Sequence, residues 1–500
     1  MTAKADVGAL EASGLIGLAS MEPELEYLFK HVLVQDAAYA SLLKQERRAL
    51  HLRVADALVQ LYPERRGELA GVIGMHLEEA GESLRAAPFL ATAGDHALAR
   101  FANPEARAFY DRAFAAIPAD VTDPEASRLR LRAGIAAVKA GWTFNLWPDE
   151  LARLAELVPL ADRLADPRLS TEVHFWNVFL RRSSGETVET SEALRRSNDA
   201  LAALGGALND PVAQAMPQAM VGAGLVFSGQ LREGVPMLEK ALSVLTEAGD
   251  ALGAGLLADV LTLAYARLGD FAAAERNADR ADRLAEQGDP IARLDASISR
   301  AVIASERGDL EVAVRLAGEC ATMSETLGAI TCGIPANYIL GDGRLRQGEA
   351  ALAKAPFERS IQIASSEHGA LTQLGVLAQA GLAAAVSQLG DAGAATSGWD
   401  GSLAAARTSG DPLGEAAVRT HRAAALAREV APDWAAIVGD LEAAIPVYEA
   451  AGTRPALARA LRAYARALEQ VGRPDDGRAA RVRSEALAEE LGLRDRDAAE

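Results

Sequence analysis

A glycine, usually followed by an acidic residue, returns along the second half of this chain with a regularity that few folds accommodate. One set comprises Gly249-Asp250, Gly288-Asp289, Gly328, Gly369, Gly410-Asp411 and Gly452. A second set falls midway, at Gly269-Asp270, Gly308-Asp309, Gly348-Glu349, Gly390-Asp391 and Gly472-Arg473, with Pro432-Asp433 where another glycine would stand. Each set has a period of about 40 residues, so every interval between neighbouring turns is about 19 residues, a helix's length. Glycine ends a helix because it enters the left-handed region without steric penalty, and the aspartate after it accepts hydrogen bonds from the free N–H groups of the next helix. Between turns, small and apolar residues recur at three- and four-residue spacing, as in Ala274, Ala278, Ala281 and Leu284. That spacing lets helices approach closely. The same half-motif returns at Gly308-Asp309-Leu310 with Ala313, at Gly390-Asp391 with Ala395, and at Gly472-Arg473 with Ala479 and Ala480. Each period is predicted to be a helix–turn–helix unit.

These units resemble the tetratricopeptide repeat, whose usual period is about 34 residues, in the elongated form found in large bacterial regulators. The resemblance implies an all-α chain built as a right-handed α-solenoid of tetratricopeptide-like helix pairs, each buried against its neighbours. The array is expected over residues 166–492, with first helical repeats at 61–165 and a flexible tail at 493–500.

The first helix of several pairs is nearly uncharged, as at 211–231, 326–341 and 369–390, whereas second helices are dense in charge, as at Glu275-Arg276-Asn277-Ala278-Asp279-Arg280. First helices line the inner wall of such an array, so this asymmetry implies an apolar or small-residue groove, suited to a peptide, a helix or a small effector. The alternative is that these helices are packed on both sides. Two of the uncharged stretches, Pro211–Leu231 and Gly369–Gly390, are long enough to cross a bilayer. Their prolines and glutamines, with no aromatic belt or basic flanks, point to buried helices instead.

Aromatic residues make up only 5% of the chain, yet several gather at Trp142, Phe144, Trp147, Phe175, Trp176 and Phe179, beside His174 and Arg181-Arg182. Trp and Arg are enriched where partners anchor, so Trp142, Phe144, Trp147, His174, Trp176, Arg181 and Arg182, with Tyr265 from the repeats, are the candidate ligand groove. The competing reading is a packed core at a repeat junction, with His174 a satisfied core histidine.

Residues 25–58 are the most distinctive stretch. They run Leu25-Glu26-Tyr27-Leu28-Phe29-Lys30-His31-Val32-Leu33-Val34-Gln35-Asp36-Ala37-Ala38-Tyr39, then Arg47-Arg48-Ala49-Leu50-His51 and Val54-Ala55-Asp56-Ala57-Leu58. With Gly81, Ala93-Gly94-Asp95 and Asn103-Pro104-Glu105-Ala106, they resemble the junction between winged helix and tetratricopeptide arm in bacterial STAND-type signal-transduction ATPases of the adenylate-cyclase-associated and LuxR types. The motif resemblance spans about residues 8–117. It implies a winged-helix remnant and connecting helix over 1–60: a helix ending at Leu10–Ser13, a wing from Gly14-Leu15-Ile16 and Tyr27-Leu28-Phe29, and one long helix from His31. Leu15, Ile16, Leu28 and Phe29 are then exposed by an incomplete winged helix and form a candidate interface. The resemblance offers His31 as an equivalent of a histidine that contacts nucleotide in some such ATPases; the preferred reading is that it has no such role, since no nucleotide domain is expected for it to serve. The chain opens inside the winged helix, so the nucleotide-binding and cyclase domains are expected to be absent.

The remaining chemistry is read by exclusion. None of the lysines, at 4, 30, 44, 139, 240 and 354, follows a glycine, which removes the phosphate-binding G-x-x-x-x-G-K-[ST] loop. H-E-x-x-H, C-x-x-C, G-x-S-x-G and G-x-G-x-x-G are also missing, and the seven histidines do not cluster. Cys320 and Cys332 are too far apart for a short chelate loop, and two cysteines in 500 residues suit a reducing compartment. A net charge of −18, without a basic stripe, disfavours nucleic acid. Met1–Leu10 has no apolar core of a signal peptide, so a cytoplasmic, non-membrane chain is expected. The reading is a non-catalytic sensing and interaction arm of a bacterial signalling or transcriptional regulator, with no cofactor and no metal. It binds a protein, peptide or small effector, or a signalling ATPase or cyclase in trans. A free-standing peptide or small-molecule receptor is the alternative, followed by an enzyme whose site is assembled from distant repeats.

Overall fold

The computed structural model describes residues 3–20, 26–186, 191–207, 211–227, 229–286, 288–365 and 372–494. The predicted turn at Gly369 and the tail from 495 onward lie outside these residues. The chain divides into two compact units, Met1–Ala99 with Ala108–Ala133, and Arg100–Arg107 with Gly134–Glu500.

The first unit opens with α1 (Ala3–Ala12) and an antiparallel hairpin of β1 (Ile16–Ser20) and β2 (Glu26–Phe29), with Ile16 opposite Phe29 and Gly17 opposite Leu28. The two strands fall where extended segments were expected. The single long helix expected from His31 is instead two, α2 (Val32–Ser41) and α3 (Lys44–Leu61). Leu42 and Leu43 are both extended, and the Glu46 carboxylate accepts the Leu43 N–H at 2.9 Å, which satisfies an N–H group at the start of α3. Then come α4 (Ala70–Ala80) and α5 (Ser83–Leu98), and a core of Ala55, Ile73, Leu77, Ala86, Leu90, Ala113 and Ala133. Helix α2 buries none of its residues.

Helices α6 (Asn103–Ala115) and α7 (Pro124–Gly141) contribute to both units. The second unit continues with α8 (Trp147–Leu164), α9 (Pro167–Ser183), α10 (Glu192–Ala207), α11 (Pro211–Phe227), α12 (Leu231–Glu247), α13 (Ala251–Leu268), α14 (Phe271–Ala285), α15 (Pro290–Arg307) and α16 (Leu310–Leu327). It ends with α17 (Gly333–Arg346), α18 (Ala350–Ser365), α19 (Thr372–Gln388), α20 (Ala392–Thr408), α21 (Pro412–Leu426), α22 (Trp434–Ala451), α23 (Arg454–Gln470) and α24 (Pro474–Leu491). The fold is all-α, a tetratricopeptide-like helical-repeat solenoid.

The predicted turns are in place. Gly269 and Gly308 close α13 and α15 at φ +82° and +89°, values an L side chain adopts only under strain, and the other predicted turn glycines among the described residues also have positive φ. Asp250, Asp289, Asp391, Asp411 and Asp433 each accept an N–H of the helix they begin, from Gly253, Ile291, Ala394, Gly414 and Ala436. Each such cap contributes about 1 kcal/mol. Close helix approach rests on small residues. Phe357 is fully buried between Gly341 and Gly381, where an added Cβ would lie 2.8 and 2.3 Å from its ring.

Within the second unit, contacts recur at one long sequence interval. Thr331 donates from Oγ1 to the Thr143 carbonyl, 188 residues away. Arg494 bonds Asp309 at 2.8 Å, 185 residues away. The turn glycines Gly229, Gly269 and Gly288 face Leu413, Pro455 and Phe101 at nearly the same separation. The array therefore meets itself again after between four and five pairs of about 40 residues. The first helices α13, α15, α17, α19, α21 and α23 each touch the next in that series, and α23 also touches α13 and α15. These six helices surround a shared interior.

Candidate functional site

The interior is lined by charge. From α13 comes Arg267, from α15 Glu306, from α17 Tyr338, Asp342 and Arg346, from α21 Thr420 and His421, and from α23 Arg459, with Tyr448 entering from α22. The side chains of Asp342, His421, Glu306 and Arg459 keep 13%, 16%, 22% and 24% of their accessible surface. They are enclosed yet keep part of their surface accessible, unlike the fully buried side chains of a packed core.

The hydrogen bonds fix the charge states. His421 has Nδ1 2.9 Å from the Ala417 carbonyl and Nε2 3.2 Å from Asp342 Oδ1. Both partners are acceptors, so both ring nitrogens donate and the ring is an imidazolium. Burial opposes that charge, but the Asp342 bond and carboxylate raise the His421 pKa above its ordinary value. Burial likewise works against the Asp342 carboxylate, and the bonds and charges of His421 and Arg346 hold it well below the usual range. Arg346 donates to Asp342 one turn back on α17, and to the Ser305 carbonyl of α15 across the helix contact. Arg459 grips Glu306 twice, at the backbone carbonyl (3.1 Å) and at the carboxylate (2.8 Å), tying helices 153 residues apart. Thr420 donates its hydroxyl proton to the Ala416 carbonyl, so the Tyr448 hydroxyl donates to Thr420 at 3.0 Å. Burial pushes the Tyr448 phenol up to about 12.

About two turns earlier on α13 and three turns earlier on α15 lies an acidic pair. Burial pushes the Asp259 carboxyl up to about 6, opposed by the 2.7 Å hydrogen bond from Ser299. Burial and then the Asp259 charge raise Asp295 well above the carboxylate range. Cys332 donates its thiol to Asp295 at 3.5 Å.

The eight predicted groove residues do not converge on this interior as a set. Trp147, Trp176 and His174 are buried. The rings of Trp142, Trp147, Phe175 and Trp176 all pack around Phe179, with centroids 5.4 to 6.3 Å away. The Trp147 indole N–H is satisfied by the Trp142 carbonyl at 2.8 Å. His174 pairs with Ser197 at 3.0 Å, and burial lowers its pKa. Arg181 is held by Asn177 and Glu186, Tyr265 donates to Glu239, and Phe144 joins the core around Ile291 and Cys332. Only Trp142, Phe144, Arg181, Arg182 and Tyr265 of the eight keep part of their surface accessible. At the N-terminal hairpin, Ile16 is buried, whereas Leu15, Leu28 and Phe29 are exposed, as are Val32 and Leu33 beyond them. His31 is the exposed N-cap of α2.

The interior polar residues were not singled out by residue type, and the interior is charged rather than apolar. The uncharged stretches stop short of the polar positions, since Asp342 and Arg346 follow residue 341 and α13, α15, α21 and α23 supply the rest. A periodic signal was present: Arg267, Glu306 and Arg346 each precede a turn glycine, Gly269, Gly308 or Gly348, by two residues.

No protein-family model matches the chain. An uncharacterized protein of Rhizobium meliloti strain 1021 is 35% identical over 91 residues, a stretch covering 17% of this chain and 8% of that protein. The chain thus aligns with less than a tenth of that relative's length. Among solved structures, a Rap protein complexed with competence and sporulation factor superposes at a TM-score of 0.55 and 13% identity, covering 74% of this chain and 99% of that one. A STAND protein with a tetratricopeptide repeat sensor from Pyrococcus horikoshii superposes at 0.43 and 15% identity, covering 81% of this chain and 58% of that one. The likeness to the Rap protein shows a shared helical-repeat fold. Among the described residues, no helix is long and apolar enough to cross a membrane.

Proposed function

We propose that the second unit is a non-catalytic receptor that takes a short peptide or peptide segment into the interior enclosed by α13, α15, α17, α19, α21 and α23. The observation that carries this reading is the convergence of Arg267, Glu306, Tyr338, Asp342, Arg346, His421 and Arg459 from five first helices onto one partly accessible interior. Such a lining presents donors and acceptors at several heights, which suits the alternating amides and side chains of a peptide. The Rap protein of similar fold, solved with its bound factor, supports the same use of the architecture. The test is thermal stability of the purified chain with the peptide fraction of a bacterial extract, with retained species identified by mass spectrometry. A bound peptide should raise Tm in a concentration-dependent way. The rise should disappear in His421→Gln and persist in Trp142→Ala; the reverse pattern would move the site to the aromatic block.

A second element of the proposal concerns residues 1–60, which we read as part of a winged helix and a docking surface for a signalling ATPase or cyclase in the cytoplasm. The supporting observation is apolar exposure: Leu28, Phe29, Val32 and Leu33 are 59%, 43%, 65% and 76% exposed. A nucleotide-binding or cyclase-type protein retained by the native chain and lost with Leu28→Asp plus Leu33→Asp is the expected result. Equal retention by both chains would overturn it.

A further inference from the structure

Among the charged groups that line the interior, one has no partner. Arg346 and His421 share Asp342, and Arg459 holds Glu306. Arg267, in the last turn of α13, makes no hydrogen bond or ion pair with any described residue. It nevertheless lies close enough to the phenols of Tyr338 and Tyr448 to counter the rise that burial imposes on each, and it acts in the same sense on the buried Asp411 carboxyl, which is already committed to the Gly414 N–H. Tyr338, facing it from α17, also has a hydroxyl without a hydrogen-bond partner among the described residues. Its ring packs against the buried Phe357, with centroids 6.4 Å apart, so the phenol is held in place. Two donors, a guanidinium and a phenol whose ring is held by Phe357, thus face the same interior unsatisfied, in a chain whose net charge is −18.

We propose that Arg267 and the Tyr338 hydroxyl recognise a carboxylate of the bound peptide. This deepens the receptor reading and rests on it. A carboxylate is planar and singly charged, and its two oxygens match the guanidinium fork, leaving a lone pair for the phenol. A phosphate dianion fits less well, because Glu306, Asp342 and Asp411 stand nearby and would repel the second charge. Arg267 also favours the negative end of the α13 dipole. That role affects folding alone, so ligand binding separates it from recognition.

The experiment uses the full chain and three pools of random hexapeptides, with retained peptides read by mass spectrometry. The first pool has free C-termini and no Asp or Glu, the second the same residues with amidated C-termini, and the third amidated C-termini with Asp and Glu included. Retention from the first pool at least about tenfold above the second assigns the carboxylate to the peptide C-terminus. Retention from the third pool above the second assigns it to an acidic side chain. Equal retention from the first and second pools, with nothing further gained in the third, overturns carboxylate recognition while leaving the receptor reading intact. No retention from any pool overturns the receptor reading and this inference with it. Arg267→Gln should lower retention about tenfold, and Tyr338→Phe, which removes one oxygen and keeps the ring packing, about threefold or more. Native retention in both variants overturns the assignment, and Tyr338→Phe answers the question even where Arg267→Gln fails to fold.

Discussion

Two clusters in the second unit share histidine and arginine and differ in almost everything else. The block around Phe179 gathers Trp142, Trp147, Phe175 and Trp176 with His174 and two arginines, the residue types that anchor partners elsewhere. Its large side chains face one another, the Trp147 indole and the His174 imidazole are satisfied internally, and Trp147, His174 and Trp176 are buried. The interior cluster is built from arginine, acid, tyrosine and histidine, with few large apolar groups. It keeps part of its surface accessible, and two of its donors have no acceptor among the described residues. Residue type thus marks where packing energy is concentrated, whereas unsatisfied polar valence marks where a ligand is needed.

That contrast predicts a graded series. The largest effect is expected from Trp147→Ala, which empties a fully buried site and should destabilise α8 and α9 by about 3–5 kcal/mol in denaturant unfolding. A loss below about 1 kcal/mol would show that the block is not a rigid core. Next comes Asp259→Asn. With the folded carboxyl pushed up to about 6, the native chain keeps a proton that the unfolded chain releases, so stability falls as pH rises from about 4 through 6. The amide removes that dependence and should stabilise the chain by about 1–3 kcal/mol at pH 8, with no gain at pH 3.5. A destabilised variant at pH 8 would mean the carboxylate is held by a charge partner. A smaller effect belongs to His421, whose raised pKa contributes stability that is complete below about 6.5 and lost as pH climbs through the folded value. His421→Gln should flatten the fall of Tm as pH rises above 6.5, and an unchanged slope would place the imidazolium elsewhere. The smallest change is in Tyr338→Phe, which should shift stability by less than about 0.5 kcal/mol while weakening the ligand complex. A stability loss comparable to that of Trp147→Ala would make Tyr338 part of the core instead.

The sequence shows the repeat because its signals are local. Gly269 needs a left-handed φ, Asp250 and Asp411 need only reach an N–H three residues ahead, and both requirements are met within a few residues of chain. The hairpin of the first unit was legible for the same reason. The break at Leu42–Leu43 was not, since an apolar pair gives no helix-stop signal and the capping carboxylate of Glu46 lies inside the next helix. The interior escaped for a different reason. Arg459 meets Glu306 across 153 residues, and His421 meets Asp342 across 79, distances set by how many pairs the array takes to return upon itself. Single-residue periodicity shows Arg267, Glu306 and Arg346 in one register, but not which groups oppose them. The aromatic block was visible and ambiguous, because Trp147 reads identically whether its indole faces a ligand or the Trp142 carbonyl.

The meeting of Thr143 with Thr331, and of Asp309 with Arg494, makes this array sensitive to its own length. An open array can lose or gain a pair and leave distant pairs with their neighbours. Here the removal of about 40 residues anywhere between positions 143 and 331 would bring a different turn opposite Thr143. The spacing works as a key: whole-pair insertions, harmless to each local helix hairpin, would misalign every return contact downstream at once. Variation among chains of this design is therefore expected in side chains and in exposed turns, with the count of pairs per return held fixed.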